Sequence, residues 1–513
     1  MFKFNYFILP LIVGMKKLSG TLQIAIAAVL IYWFLFHGLG RLPFRVWDET
    51  RLINSAYELT NNHHFLVPTV DNHPDMWNCK PPLMIWVQVL FIKLFGFSEW
   101  SVRLPAALCG MLTIMAVVCF ISRLIKDKWL WLTPLIVLCT SGGLIGSHTA
   151  RFGEYDAMLT LFTTCYLMSF FLYTETAGSA RNKYLLLFFI CLSLAGLTKG
   201  IAAMLFTPAL LLYLLLRNQL FETIANKYFY TGLLIFFFIV PGYYLLREHY
   251  NPGYLQAVWD NELAGRYNTT LGGNRTPWTY YWYHFRFIQF STWYWTLPVS
   301  LLLLWFAPAK IFRAALFSWL CAIVFLTVIS RSETKMPWYD LPVFPLFAIL
   351  ATIVIFQIAG AISQVHFMSR EAATIALLVI FSAQPIYESV RYLARQHDNL
   401  KEDNFYAASY YFRDALNGKR DVNDKIYLSS GYNIQWRLYV KWLNEKGVRL
   451  EDHPYLNDVN VLADTARRQP EFRSGNRVIA NQDLTKNYIE NNYTYRIEDE
   501  YFGLKEYLII SPK

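Results

Sequence analysis

The sequence predicts a mainly α-helical, multi-spanning membrane protein that ends in a small soluble α/β domain. Three observations carry this reading. Of the 513 residues, 55% are hydrophobic and only 16% are charged, and the mean hydropathy is +0.28. Soluble proteins carry roughly 25% charged residues; so apolar a chain finds its solvent in lipid. Roughly eleven apolar runs approach the ~20 residues that a bilayer core requires. Beyond Gln384 the composition turns polar and mixed in charge.

The spans are expected at Leu18–Leu39, Leu104–Leu124, Trp129–Ser147, Ala157–Thr174, Tyr184–Leu197 and Gly200–Leu216. They continue at Phe229–Leu246, Phe290–Phe306, Phe312–Ser330, Leu341–Phe356 and Ala372–Gln384. Ambiguous runs such as Leu83–Phe97 raise the total to about 11–13. The short first run, Phe7 to Gly14, precedes Lys16-Lys17 and reads as an interfacial segment or a mis-assigned start. The net charge of +10 does not point to nucleic acid, because most cations sit between apolar runs, where they set orientation. Of the seven cysteines only Cys79 lies outside the apolar segments, so neither a disulfide framework nor a zinc ribbon is expected.

Lys and Arg collect in alternate short loops, at Lys16, Lys17, Arg123, Lys126, Lys128, Arg181, Lys183, Arg217, Lys227, Lys310, Arg313 and Arg370. Those loops are read as cytoplasmic. The other set faces outward: 41–103, 151–156, 198–200, 247–289 and 331–340. It holds nearly every unusual polar residue of the membrane half. An odd number of spans with the N-terminus inside places residues 387–513 outside as well. There Lys425–Ser430 and Tyr507–Ser511 read as strands, and Ile434–Lys446 reads as a helix ended by Gly447.

The outward loops carry the candidate chemistry. Trp47-Asp48-Glu49 places two carboxylates just past a membrane helix, suited to a general base or to holding a hydroxyl; acids at a helix N-terminus also simply complement its dipole. Lys80, before Pro81-Pro82, suits a phosphate or snorkels to headgroups. Arg151-Phe152-Gly153-Glu154-Tyr155-Asp156 puts three charges at a membrane boundary, where they must pair or line a cavity. Lys199 and Lys335 at the outer boundary run against the positive-inside bias. The loop 247–289 is rich in Trp and Tyr, fitting an aromatic belt, a sugar platform or a cover for a prenyl tail. No cofactor is required, and the spacing of His63, His64 and His73 gives no support to a divalent metal.

Taken together, these motifs resemble the GT-C-type membrane glycosyltransferases, in the group containing protein O-mannosyltransferases and the lipid A aminoarabinose transferase (ArnT-like). The likeness rests on Trp47-Asp48-Glu49, Lys80-Pro81-Pro82-Leu83, Arg103-Leu104-Pro105-Ala106-Ala107-Leu108 and Arg151–Asp156. Gly196-Leu197-Thr198-Lys199-Gly200 and Lys335-Met336-Pro337-Trp338-Tyr339 with Leu341-Pro342 and Phe344-Pro345 complete it, over roughly residues 20–360. Glu154 departs from the family turn, which is usually less charged.

The resemblance implies GT-C architecture, a polyprenyl-phosphate-sugar donor, inversion at the sugar, and an acceptor that is lipid A, another envelope glycan or a protein. It implies catalytic carboxylates at Asp48, Glu49 and Asp156. Donor-phosphate contacts fall to Lys80 and Tyr339, with Lys199, Arg266 and Lys335 as further candidates, and Arg151 and Glu154 as other pocket residues. A lipid transporter or flippase is the reading from another class.

Overall fold

The computed structural model describes residues 20–268, 276–365, 368–401, 404–429, 434–454 and 470–513. Among these, seven helices are long and apolar enough to cross a membrane, and four shorter apolar helices accompany them. The protein is a multi-pass integral membrane protein. In chain order the membrane half comprises α1 (Gly20–Phe36), α2 (Asp48–Asn62), α3 (Leu83–Phe95), α4 (Glu99–Leu124), α5 (Leu132–Thr140), α6 (Tyr155–Glu175) and α7 (Asn182–Lys199). It continues with α8 (Thr207–Leu216), α9 (Lys227–Tyr250), α10 (Thr296–Leu303), α11 (Ala309–Arg331), α12 (Phe344–Val365) and α13 (Arg370–Lys401).

The helices obey local rules. α4 opens on a capping box, in which the Ser98 side chain accepts from the Ser101 amide and Ser101 answers to the Ser98 amide. α9 is capped by Asn226, whose side chain accepts from the Tyr228 amide. α6 and the span Leu341–Val365 are both 83% buried, whereas α9 is only 22% buried. The first two therefore form the centre of the bundle and α9 its lipid-facing wall. The predicted break after Lys199 is sharper than the sequence suggests. Gly200 has φ +54, a conformation side chains disfavour. A five-residue 3₁₀ turn, Gly200–Met204, then delays α8 to Thr207. The run Phe290–Phe306 likewise spends its first residues in a turn and becomes helical at Thr296.

Hydropathy ends before helicity does in α13. The apolar run stops near Gln384, but the helix continues past Glu388, Arg391 and Arg395 to Lys401. Its 32 residues span about 48 Å, enough to leave the membrane and deliver the chain to the soluble domain. That domain comprises α14 (Asn404–Leu416), β3 (Lys425–Ser429), α15 (Ile434–Glu445), β4 (Leu450–Pro454), β5 (Arg477–Ala480), α16 (Asp483–Asn492), β6 (Tyr493–Tyr501) and β7 (Leu504–Pro512). The sheet order is β4-β3-β5-β7-β6, with β3 parallel to β4 and β5, and β7 antiparallel to β5 and β6. A two-stranded hairpin, β1 (Thr69–Val70) and β2 (His73–Pro74), belongs to the loop after α2.

The two halves share one apolar core, which runs from the membrane helices to Tyr411, Trp436 and Tyr439 of the soluble domain. Contact is made on the side where α2 lies. The Tyr439 hydroxyl donates to Glu99 at 2.7 Å and accepts from the Phe44 amide at 3.1 Å. Lys441 donates to Asn54, Glu58 and Asp71 at 3.2, 3.0 and 2.9 Å.

A Cβ on Gly200 would meet the Tyr244 hydroxyl at 2.4 Å. Gly200→Ala is therefore expected to lower thermal stability in detergent by about 1–3 kcal/mol. Gly20→Ala, with nothing within 4 Å of the added atom, leaves the melting temperature unchanged in the same scanning-fluorimetry assay.

Candidate active site

The site is built outward from one buried ion pair. Glu49 is wholly buried and accepts from Arg103 Nε at 2.7 Å and Nη2 at 2.8 Å. It also accepts from the backbone amides of Arg45 at 2.8 Å and Gly153 at 2.9 Å. Arg103, equally buried, donates to the carbonyls of Leu39, Leu42 and Pro43 at 3.1, 2.7 and 2.7 Å. One carboxylate and one guanidinium thus tie together the end of α1, the start of α2, α4 and the turn 151–154. Burial alone would raise the Glu49 carboxyl, but Arg103 and the two amides outweigh it and hold it below the usual range. Gly153 is needed for this approach, since a Cβ there would lie 2.9 Å from Gln88 Nε2 and 3.0 Å from the Val102 carbonyl oxygen.

This anchor fixes Asp48. Trp47 precedes it at φ +71, ψ −116, a strained backbone for a bulky residue. With Glu49 locked inward, Asp48 is turned outward and is exposed at the mouth of a cleft. The cleft has an empty volume of about 460 Å³ and is lined by Asp48, Lys80, Glu154, Asp156, Lys199 and Tyr339, among others. Lys80 reaches Glu262 at 3.0 Å. Lys199 reaches Asp156 at 2.6 Å and lies 4.9 Å from the centre of the Tyr339 ring. Arg51, one turn after Asp48, pairs with the buried Asp75 at 2.9 Å.

His148 and Glu154 form the remaining wall beside Asp48. His148 Nδ1 is 2.7 Å from Glu154 Oε2, and the imidazole stacks on Trp338 at 3.7 Å. Burial pushes the Glu154 carboxyl up to about 7; the carboxylates of Asp48 and Glu49 add to this, and His148 opposes it. Burial disfavours a charged His148, yet Glu154 and Asp48 outweigh it and hold the imidazole above its ordinary range. Among the described residues, Asp48, His148 and Glu154 are a group whose ligand atoms lie within 4.8 Å of one another, the spacing of a potential metal centre. Asp340, next to Tyr339, is buried completely, which raises its carboxyl well above the usual carboxylate range.

Asp48, Lys80, Glu154, Asp156, Lys199 and Tyr339, all singled out from the sequence, line one cleft. Three others fall elsewhere. Glu49 faces the protein interior and is occupied by Arg103, so it shapes the site without reaching a substrate. Arg151 donates to the carbonyls of Phe34 and His37 at 2.9 and 2.8 Å, tethering the end of α1. Lys335 donates to the carbonyls of Thr276 and Ser332 at 3.1 and 2.6 Å, tying its own loop to the segment at Thr276 rather than lining the cleft. The side chain of Arg266 lies outside the described residues. The sequence reading singled out neither His148 nor Arg51, and it quoted Trp338 only within a longer motif. Arg51 was detectable as the residue one helical turn beyond Asp48. His148, a lone imidazole at the end of an apolar run, gave no spacing signal.

Residues 79–244 match the family described as dolichyl-phosphate-mannose-protein mannosyltransferase. A protein of Aquifex aeolicus is 24% identical over 350 residues, 66% of this chain and 63% of that protein. An undecaprenyl phosphate-alpha-4-amino-4-deoxy-L-arabinose arabinosyl transferase of Edwardsiella ictaluri is 26% identical over 345 residues, 66% of this chain and 59% of that protein. The chain thus spans less than two thirds of the length of these curated relatives. The crystal structure of ArnT from Cupriavidus metallidurans bound to undecaprenyl phosphate matches with a TM-score of 0.66 and 17% identity, over 95% of this chain and 97% of that one. Over nearly its whole length the chain thus has the fold of that ArnT structure, and within it residues 79–244 match the protein mannosyltransferase family.

Two predictions follow from the geometry. Arg103→Leu strands the Glu49 carboxylate in an apolar site and is expected to cost about 3–5 kcal/mol; Glu49→Gln with Arg103→Met recovers part of that loss in thermal scans. The second concerns pH. The folded-state Glu154 carboxyl sits near 7, above its ordinary 4.5. Its contribution to stability is complete below that ordinary value and is lost as pH rises through 7. Relative to Glu154→Gln, the wild-type melting temperature in chelator-containing buffer should fall between pH 5 and 8, by an equivalent of on the order of 3 kcal/mol.

Proposed function

We propose that the protein transfers a sugar from a polyprenyl-phosphate donor to an acceptor at the outer face of the bacterial cytoplasmic membrane. The acceptor in this reading is lipid A or another envelope glycolipid or glycan, and the cleft and soluble domain face the periplasm. One observation carries the reading. Lys80, Lys199 and Tyr339, drawn from three chain segments remote in sequence, line the same cleft as the exposed Asp48. Cations suit an anionic leaving group, and a carboxylate suits the acceptor.

The donor lies with its prenyl chain along the helices and its phosphate at Lys80 and Lys199. Both lysines start out paired with carboxylates, Glu262 and Asp156, so the phosphate enters by exchange of one anion for another. Asp48 takes the proton of an acceptor hydroxyl. The acceptor oxygen attacks the anomeric carbon from the side opposite the phosphate, the bond from that carbon to the phosphate oxygen breaks, and configuration inverts. Polyprenyl phosphate departs with the electron pair, and the lysines stabilise its growing charge. An acceptor that is itself a phosphate is already ionised, and Asp48 then only positions it.

The matched mannosyltransferase-type domain favours one second reading, transfer to protein hydroxyls. Intact-mass analysis of lipids and of surface glycoproteins from a deletion strain separates the two acceptors. With purified protein and a polyprenyl-phosphate-sugar, Lys80→Ala is expected to lower turnover about 10²–10³-fold. Asp48→Asn should lower transfer to a hydroxyl by about 10²–10⁴-fold while sparing transfer to a phosphate. Full activity in both variants would defeat the proposal.

A further inference from the structure

The mechanism above gives no task to the half-buried His148 and the buried Glu154 beside Asp48. His148 is held at φ +62, a conformation that costs a non-glycine residue energy and persists only where the surroundings impose it. Its ring is fixed on one face by Trp338 and at one nitrogen by Glu154. Glu154 is 3% exposed, and its Oε1 has no hydrogen-bond partner among the described residues. A buried carboxylate oxygen without a partner is costly, and here its neighbour is another carboxylate, Asp48. The nearby guanidinium groups are engaged elsewhere: Arg103 holds Glu49, and Arg45 bonds Ser147.

The ligand atoms of Asp48, His148 and Glu154 lie within 4.8 Å of one another. Three atoms so spaced can all be reached from one central point, and modest side-chain shifts bring them to metal-ligand distances of ~2.0–2.2 Å. We propose that Asp48, His148 and Glu154 bind one divalent first-row transition-metal ion at the edge of the cleft.

An imidazole nitrogen with two carboxylates suits Mn²⁺, Co²⁺ or Zn²⁺ better than Mg²⁺ or Ca²⁺, which prefer all-oxygen shells. The ion satisfies the orphan Glu154 oxygen and the local excess of negative charge together. Asp48 is exposed, so there is a path in from solvent. Three protein ligands leave coordination positions open toward the cleft, where an acceptor oxygen can bind. Trp338 joins this centre to the donor side, because it stacks on His148 and is followed in sequence by Tyr339, against which Lys199 lies. The service of the ion to an acceptor rests on the transferase reading; its binding does not.

The test therefore uses no substrate. Tag-free, full-length protein in detergent is stripped with chelator and titrated with MnCl₂, and free Mn²⁺ is followed by electron paramagnetic resonance. One ion per chain is expected. Glu154→Gln and His148→Ala should each weaken binding by at least about tenfold. His63→Ala, an exposed histidine outside the cluster, leaves it unchanged. Pulsed measurement on the wild-type Mn²⁺ complex should show coupling to an imidazole nitrogen, a readout that does not depend on any variant folding. Absence of stoichiometric binding, absence of that coupling, or unchanged affinity in both variants overturns the site. Loss of sugar transfer with Mn²⁺ binding intact would count against the transferase reading alone.

Discussion

The Arg103–Glu49 pair is the constraint on which the rest of the cleft depends. It lies where three chain segments that are remote in sequence must meet, and neither group has water to fall back on. Burying two such charges is unfavourable unless every donor and acceptor is used. Here the guanidinium serves three carbonyls besides the carboxylate, and the carboxylate takes two backbone amides besides the guanidinium. The payoff is geometric. A helix whose second residue is locked inward must turn its first residue outward, and the first residue is Asp48. Position makes that carboxylate available to a ligand.

The same principle of paired charges recurs across the cleft with a different outcome. Lys80 and Lys199 are neutralised, but by single carboxylates at its rim and wall, which an entering anion can replace. Glu49 and Arg103 form a closed network; Lys80 with Glu262 and Lys199 with Asp156 are simple contacts. The protein thus separates charges that fix structure from charges that can change partners, and the difference lies in how many hydrogen bonds each makes.

Much of this was legible in the sequence. Membrane class, the gathering of polar groups in one set of loops and a soluble α/β end all follow from hydropathy and charge, because lipid imposes those patterns directly. Asp48, Lys80 and Lys199 were legible because a charge at a membrane boundary demands an explanation. What was not legible was which charges would turn inward. Glu49 is adjacent to Asp48 and chemically its twin, and only the distant Arg103 decides between them. Arg151 and Lys335 carried the same boundary signal as Lys199, but they spend their charge on backbone carbonyls at the ends of neighbouring segments. His148 was silent because an imidazole becomes significant only through what folds against it. Helix limits failed at α13 for a related reason: its apolar face ends while its hydrogen-bonded backbone continues.

Helix α2 is gripped at both ends. Near its start Glu49 is fastened to the membrane bundle. Toward its finish Glu58 receives the amides of Asp71 and Asn72, at 2.8 and 3.1 Å, and the ammonium of Lys441. It is a strut pinned to the bilayer-embedded body at one end and to the soluble domain at the other, with Asp48 on the first hinge. Distant sheet and cleft carboxylate are one mechanical assembly, and an amputation of the last hundred or so residues would be felt where no contact is severed.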